Sequence, residues 1–331
     1  MLLLDIKNLT VEIDTSTGWV KALDKVSLHL KKGEISALVG ESGSGKSLIV
    51  RTIVGAIPDR WRITADRMTW KGQDLLSMSA QQRRKIIRNE MSVVFQNANH
   101  SLDPTASLGQ QLRESVPANQ LEEVSFWQRK ALRTDIIVKY LHKVGIKDHQ
   151  QCMRAYPHQV PDDICQKVML AMALVSKPEL LIADDPTMGM EITSKVQILR
   201  LLTKLNQTQN LSILFIGHDL SAIANMATHM TVLYSGQTVE SGKIGWLHKR
   251  PLHPYTKALL DSAPSFRKDL APKSTLSSLD GTIPTLQHLP IGCRLGPRCP
   301  RAQKECVKTP KMRHISSHFY SCHFPLNRGG K

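Results

Sequence analysis

Apolar and polar residues alternate in short stretches along the first 40 positions. Leu4 to Ile6, Val11 to Ile13 and Val26 to Leu30 each follow a period of two, which is typical of strands. The continuous apolar run Ile35 to Val39 predicts a short buried strand. The apolar positions in Leu48 to Val54 have helical spacing. The order in this part of the chain is therefore strands, a glycine-rich loop and a helix.

The middle of the chain changes in character. Residues 97–165 are rich in Gln, Arg, Lys and Leu, with helical periodicity in Ala131 to Val144, and they predict an inserted helical subdomain. Strands return at Leu180 to Ala183 and at Leu211 to Ile216, each apolar throughout, as expected of parallel strands covered on both faces. These patterns predict an α/β fold.

Composition changes again after residue 245, where Pro, Ser and Cys become frequent. We therefore divide the chain into a domain at 1–245 and a C-terminal extension at 246–331. No apolar run approaches the roughly 20 residues of a membrane span. The N-terminus lacks a basic leader and a long apolar stretch, so we expect the chain to be cytoplasmic.

Basic residues outnumber acidic ones, 44 against 28, and give a formal net charge of +16. This excess favours a polyanionic neighbour such as a nucleotide, a nucleic acid or an anionic lipid surface. The basic cluster from Arg83 to Arg88 has no interleaved aromatic residues that could stack on bases. We interpret the cluster as a solvated helix face and expect no nucleic-acid partner.

A glycine-rich segment connects the strand Ile35 to Val39 with the helix behind it. Its spacing, Gly-x4-Gly-Lys-Ser, is the phosphate-loop pattern in the strand and helix context that this pattern requires. Glycines let backbone N–H groups converge on phosphates, the lysine reaches the β- and γ-phosphates, and the serine hydroxyl is the expected Mg²⁺ ligand. The sequence predicts an ATP and Mg²⁺ site formed by Gly40, Glu41, Ser42, Gly43, Ser44, Gly45, Lys46 and Ser47.

Polar residues follow three other predicted strands. Asp184 and Asp185 come directly after one buried strand, Gln96 follows the run Met91 to Phe95, and His218 follows a third. A strand-end carboxylate at Asp184 can hold Mg²⁺ and its water shell. Asp185 can act as the general base that polarises the attacking water. We expect the Gln96 amide to bind Mg²⁺ together with Ser47 and Asp184 and to report metal or water occupancy to the helical insertion. We expect His218 to act in catalysis by contacting the γ-phosphate.

Lys46, Gln96, Asp184 and His218, in this order and spacing, resemble the Walker A, Q-loop, Walker B and H-loop motifs of ABC transporter ATPases. The resemblance covers about the first 245 residues. It implies a P-loop NTPase core with an inserted helical subdomain, and an ATP hydrolase coupled to transport. It also implies two integral membrane permease subunits, with the helical insertion as the expected contact.

Two segments depart from that family's pattern. Val160 to Ile164 stands where the family usually has Leu-Ser-Gly-Gly-Gln, so the serine and both glycines that bind the partner subunit's ATP are absent. Asp185 stands where the family usually has Glu, and one methylene less can displace the base by about 1 Å, at a cost of ~10²-fold in rate. We expect attenuated or asymmetric hydrolysis and a heterodimer with a different ABC ATPase.

Four cysteines in the extension have the spacing Cys-x5-Cys-x6-Cys-x15-Cys. In a reducing compartment they favour a metal site over two disulfides. Their context resembles the C-terminal extension of oligopeptide and dipeptide transporter ATPases, which implies a [4Fe–4S] cluster. Zinc and metal-free packing remain alternatives. The predicted ligands are Cys293, Cys299, Cys306 and Cys322.

Further stretches, Gly145 to His149 and Leu289 to Pro300, resemble the Sap group of bacterial peptide transporters. That resemblance implies peptide uptake linked to antimicrobial peptide resistance, a peripheral position on the cytoplasmic face of the inner membrane, and an indirect partnership with a periplasmic substrate-binding protein. Two other classes compete with this interpretation. One is a regulatory subunit that binds ATP, hydrolyses little of it and controls a membrane protein. The other is a soluble ABC protein of translation or repair.

Overall fold

The computed structural model describes residues 2–16, 18–122, 125–263 and 279–327. The chain divides into two compact units. The first contains Met1–Lys31, Ile35–Ser79 and Phe215–Lys331, and the second contains Lys32–Glu34 and Ala80–Leu214.

Most strands are short, apart from two of 14 residues at the start of the chain. The strands of the described residues are β1 Leu2–Thr15, β2 Gly18–Lys31, β3 Ile35–Val39, β4 Arg62–Thr64, β5 Arg67–Trp70, β6 Gln73–Asp74, β7 Met91–Val94, β8 Leu180–Asp184, β9 Ser212–Gly217, β10 His229–Tyr234, β11 Gln237–Lys243, β12 Arg313–Ile315 and β13 His318–Tyr320.

The helices lie mainly in the second unit. Those of the described residues are α1 Lys46–Val54, α2 Ala80–Glu90, α3 Ala98–Ser101, α4 Leu108–Ser115, α5 Phe126–Lys143, α6 His149–Arg154, α7 Asp162–Val175, α8 Ile192–Gln209, α9 Leu220–Met226, α10 Ile244–Lys249 and α11 Pro254–Asp261. No helix in these ranges has the length and apolar character needed to cross a membrane.

The first unit contains two sheet regions. In one, β1 pairs antiparallel with β2, β4 and β5. In the other, β3 is parallel to β10, which is antiparallel to β11. All five residues of β3 are buried, as its uninterrupted apolar sequence predicts. The end of this strand leads into the glycine-rich loop.

The C-terminal extension packs within the first unit. Its strand β13 pairs antiparallel with β11, with Glu240 opposite Tyr320. The fully buried carboxylate of Glu240 lies 2.7 Å from the imidazole Nε2 of His318 and accepts the N–H groups of Leu252 and His253 at 2.7 and 2.9 Å. The change in composition at residue 245 therefore does not mark the end of a compact unit, because these contacts join both sides of it.

The second unit combines two parallel strands, β7 and β8, with most of the helices. Between β7 and β8 the described residues form helices joined by loops and turns, with no strand. Helix α7 contacts α3, α4 and α5, and it is apolar on nearly all faces from Cys165 to Val175. A helix of this kind is stable only when it is surrounded, so α7 forms the centre of the helical region.

Candidate nucleotide site

The glycine-rich loop lies between the end of β3 at Val39 and the start of α1 at Lys46. Gly45 caps this helix with a φ of 102°, a conformation that strains residues with a side chain. Gly40 also has a positive φ, and a Cβ there would lie 2.2 Å from the carbonyl oxygen of Leu233. The backbone path therefore requires both glycines. It leads directly into a helix N-terminus, the end that attracts anions.

Lys46 is largely buried, and its ammonium group is held by the loop itself. The Nζ atom donates to the carbonyl oxygens of Gly40 and Glu41 at 2.7 and 2.9 Å, and to the Ser44 hydroxyl at 3.4 Å. An ammonium group offers three donors and no acceptor. The ammonium group of Lys46 is therefore already positioned in the loop. To bind phosphate as predicted, it would donate to phosphate oxygens in place of these loop oxygens.

The strand-end carboxylates lie in the second unit. Asp184 is the last residue of β8 and is 2% exposed. Asp185 has a φ of 47°, in the left-handed region that Asp tolerates better than most side chains. Its carbonyl oxygen accepts the N–H of Met188 at 3.0 Å. The Gln96 amide donates to the Met188 sulfur at 3.4 Å, so Gln96 contacts the turn that follows Asp185.

His218 is exposed and follows β9 in the first unit. The next residue, Asp219, caps helix α9, because its carboxylate accepts the N–H groups of Ser221 and Ala222, both at 3.1 Å. The first unit thus carries the glycine loop and His218, and the second carries Gln96, Asp184 and Asp185. Their roles in catalysis and metal binding remain predictions.

Two aspartates occupy the segment that matches the family's signature, and both have partners in the second unit. Helix α7 begins at Asp162, after Pro161. The Asp162 carboxylate accepts a hydrogen bond from the Asn99 amide. Asp163 forms an ion pair with Lys167, at 3.0 Å. Carboxylates are stabilised at a helix N-terminus. The N-terminus of α7 therefore already carries the negative charge of Asp162 and Asp163.

The four cysteines of the extension are unpaired and only partly exposed. Burial raises the pKa of the Cys293 and Cys299 thiols, and that of Cys322 to about 11. The other three cysteines contribute to the shift at Cys322. Among the described residues, however, no three His, Cys, Asp or Glu side chains are arranged to hold a metal ion. The sites for iron–sulfur or zinc therefore remain predictions.

Two contacts with the glycine loop were missed by sequence reasoning. The Tyr255 hydroxyl accepts the backbone N–H of Glu41 at 2.8 Å. The Arg298 guanidinium donates to the Glu41 carboxylate at 3.0 and 3.3 Å. A contact 257 positions away in the chain leaves no local signal in the sequence.

Comparison with known proteins shows the family of the chain. Residues 23–188 match the family of ABC transporters, and residues 239–306 match the C-terminal region of oligopeptide/dipeptide transporters. The "Peptide transport system ATP-binding protein SapD" of Salmonella typhimurium is 51% identical over 99% of both chains. The chain belongs to the ABC transporter family. It is an ATP-binding subunit, and its ATP hydrolysis is coupled to transport.

Other ABC proteins support this assignment. SapD of Haemophilus influenzae is 46% identical over 99% of this chain and 93% of its own. The "Dipeptide transport ATP-binding protein DppD" of Escherichia coli K12 is 37% identical over 100% and 99%. A bacterial ABC transporter cassette solved as a dimer matches 73% of this chain and 98% of its own, with a TM-score of 0.65 and 23% identity. The predicted ABC ATPase fold is confirmed.

Proposed function

We propose that this chain is the ATP-binding subunit of a bacterial peptide importer and works at the cytoplasmic face of the inner membrane. The observation that carries the proposal is full-length similarity to SapD, 51% identical over 99% of both chains. In the proposed complex the chain binds two integral membrane permeases and receives peptide indirectly from a periplasmic binding protein. The Sap resemblance extends the proposal to resistance against antimicrobial peptides.

Within the site, we assign phosphate binding to the loop from Gly40 to Ser47, with Lys46 on the β- and γ-phosphates. Ser47 and Asp184 would hold Mg²⁺, which neutralises phosphate charge when bound. Asp185 polarises the attacking water. Gln96 would be a further ligand of the metal, and His218 would contact the γ-phosphate.

The altered signature supports an unequal pair of sites. In ABC dimers each nucleotide lies between one chain's phosphate loop and the other chain's signature. Asp162 and Asp163 place negative charge where phosphate would bind, and like charges repel. Two copies of this chain would both present the defect, so we propose a second, different ABC ATPase. The same change favours a second candidate function, a regulatory subunit that binds ATP and hydrolyses little of it. Measuring ATP affinity and ATP turnover on the same sample would distinguish the two functions.

Purification of the complex tests the proposed partners. We expect the tagged full-length chain, isolated from detergent-solubilised bacterial membranes, to bring with it two integral membrane proteins and a different ABC ATPase. Mass spectrometry would identify them, with the untagged chain as the control. Recovery with ribosomes or DNA would rule out the transport assignment. A complex with two copies of this chain and full ATP turnover would contradict the heterodimer.

We also propose that Cys293, Cys299, Cys306 and Cys322 bind a [4Fe–4S] cluster. The support is four unpaired thiols in one segment and the match to the oligopeptide/dipeptide C-terminal region. We expect about four irons and four sulfides per chain after anaerobic purification. Replacing the four cysteines by Ser should remove them, whereas Cys152→Ser with Cys165→Ser should not. Zinc in place of iron, or no metal, would refute the cluster.

A further inference from the structure

Glu41 places a carboxylate inside the predicted phosphate-binding loop, where its charge has the same sign as that of the ligand. Its side chain is 34% exposed and ion-paired with Arg298, which is 9% exposed. An unpaired carboxylate at this point would oppose a bound triphosphate. The pairing therefore bears directly on how well the loop can accept ATP.

Arg298 is fixed by contacts along its whole guanidinium group. Besides the Glu41 carboxylate, it donates to the Tyr234 hydroxyl at 3.3 Å and to the carbonyl oxygens of Leu279 and Asp280 at 3.3 and 2.9 Å. All three nitrogens are used, which only the planar fork of arginine allows. Contacts with other residues of the extension thus fix the position of the Arg298 guanidinium next to Glu41.

The backbone of Glu41 is also bound by a residue of the extension, Tyr255. Its N–H donates to the Tyr255 hydroxyl, and the Tyr255 ring packs edge-on against Tyr234, with centroids 4.7 Å apart. Its carbonyl oxygen accepts from Lys46. Glu41 thus connects the residues of the extension with the lysine that is predicted to bind phosphate.

Arg294 makes a second connection from the extension to the loop. Its buried guanidinium donates to the carbonyl oxygen of Ser235, and to that of Lys21 at 3.2 Å. Ser235 and Gly236 form the turn between β10 and β11, and the Gly236 N–H donates to the carbonyl oxygen of Ser44 at 2.7 Å. Arg298 therefore contacts the phosphate loop directly at Glu41, whereas Arg294 is connected to it only through the turn that binds Ser44.

We propose that Arg298 is a positioning residue for nucleotide binding, which neutralises Glu41 and holds it so that the glycine loop accepts ATP. The proposal rests on the proposed nucleotide site. Arg294 follows Cys293 directly and Arg298 precedes Cys299 directly. Both arginines therefore belong to the segment from Cys293 to Cys299. By reciprocity of linked equilibria, ATP binding stabilises the segment from Cys293 to Cys299.

Equilibrium binding of Mg-ATP to the full-length chain tests the proposal. We expect Arg298→Met to weaken binding about tenfold, within the usual range of coupling between sites, and to raise KM for ATP more than it lowers kcat. Arg301→Met is the matched control, because it removes the same charge from an exposed position of the same extension, two residues after Cys299. Arg298→Lys should restore part of the affinity, since it keeps the charge but not the fork.

A double-mutant cycle separates positioning from a general loss of stability. In a Glu41→Gln background a neutral amide replaces the carboxylate. Arg298→Met should therefore weaken ATP binding much less than it does in the unaltered chain. Equal effects in both backgrounds, or an effect no larger than that of Arg301→Met, would overturn the proposal. Lys46→Ala in the same assay monitors the site itself: if it loses ATP while Arg298→Met does not, only the positioning role fails.

Hydrogen exchange provides a readout that does not depend on activity. In the full-length chain, Mg-ATP should slow amide exchange from Cys293 to Cys299, and Arg298→Met should abolish that slowing. Exchange in this segment that is the same with and without ATP would contradict the coupling.

Discussion

Asp185→Asn is expected to lower the ATP turnover of the assembled transporter by at least about 100-fold, the usual contribution of a general base. An amide cannot take the proton of the attacking water, although its size is nearly that of the carboxylate. Binding of Mg-ATP should change little, because we assign the phosphates to the glycine loop and the metal to Asp184. Phosphate release and equilibrium binding, measured on the same purified complex, would separate the two effects.

Asp185→Glu provides the opposite test. The longer side chain restores the reach that the family usually has, and we expect faster turnover than in the unaltered complex. Asp135→Asn, at an exposed position of α5, controls for loss of a carboxylate from the second unit. Unchanged phosphate release in Asp185→Asn would remove this residue from the catalytic assignment.

The features that could be predicted from sequence are those encoded by neighbouring residues. Ile35–Val39 is apolar throughout and forms a fully buried strand. The glycines before Lys46 specify a loop that leads into α1, which contains the predicted helical stretch Leu48 to Val54 and begins two residues before it. A strand, a tight loop and a helix are each determined over a few positions, so their order could be deduced without knowledge of the rest of the chain.

The contacts that could not be predicted join distant parts of the chain. Arg298 meets Glu41 across 257 positions, and the Asp162 carboxylate meets the Asn99 amide across 63. Neither pairing has a periodic signal, because it depends on how separate elements pack. The pairing of β13 with β11 also joins distant parts of the chain. The change in composition at residue 245 gave no sign of this pairing. Sequence patterns therefore predicted the strand, loop and helix correctly, but not the distant residues that contact the loop.

Lys46→Ala is expected to weaken Mg-ATP binding by at least about 100-fold. A hydrogen bond to a charged group contributes about 1.5–3 kcal/mol, and the ammonium is predicted to contact both the β- and the γ-phosphate. Losing two such contacts costs at least about 3 kcal/mol, which corresponds to roughly 100-fold in affinity. Lys249→Ala, at an exposed position of α10, is the matched control and should bind as the unaltered chain does.

The central claim is that this chain binds ATP in the loop from Gly40 to Ser47. Titration of the folded, full-length chain with ATP, with and without Mg²⁺, tests it most directly. We predict saturable binding of one ATP per chain that requires Mg²⁺ for full affinity and is lost in Lys46→Ala. A folded chain that shows no affinity for Mg-ATP, or a Lys46→Ala chain that binds it equally well, would contradict the account.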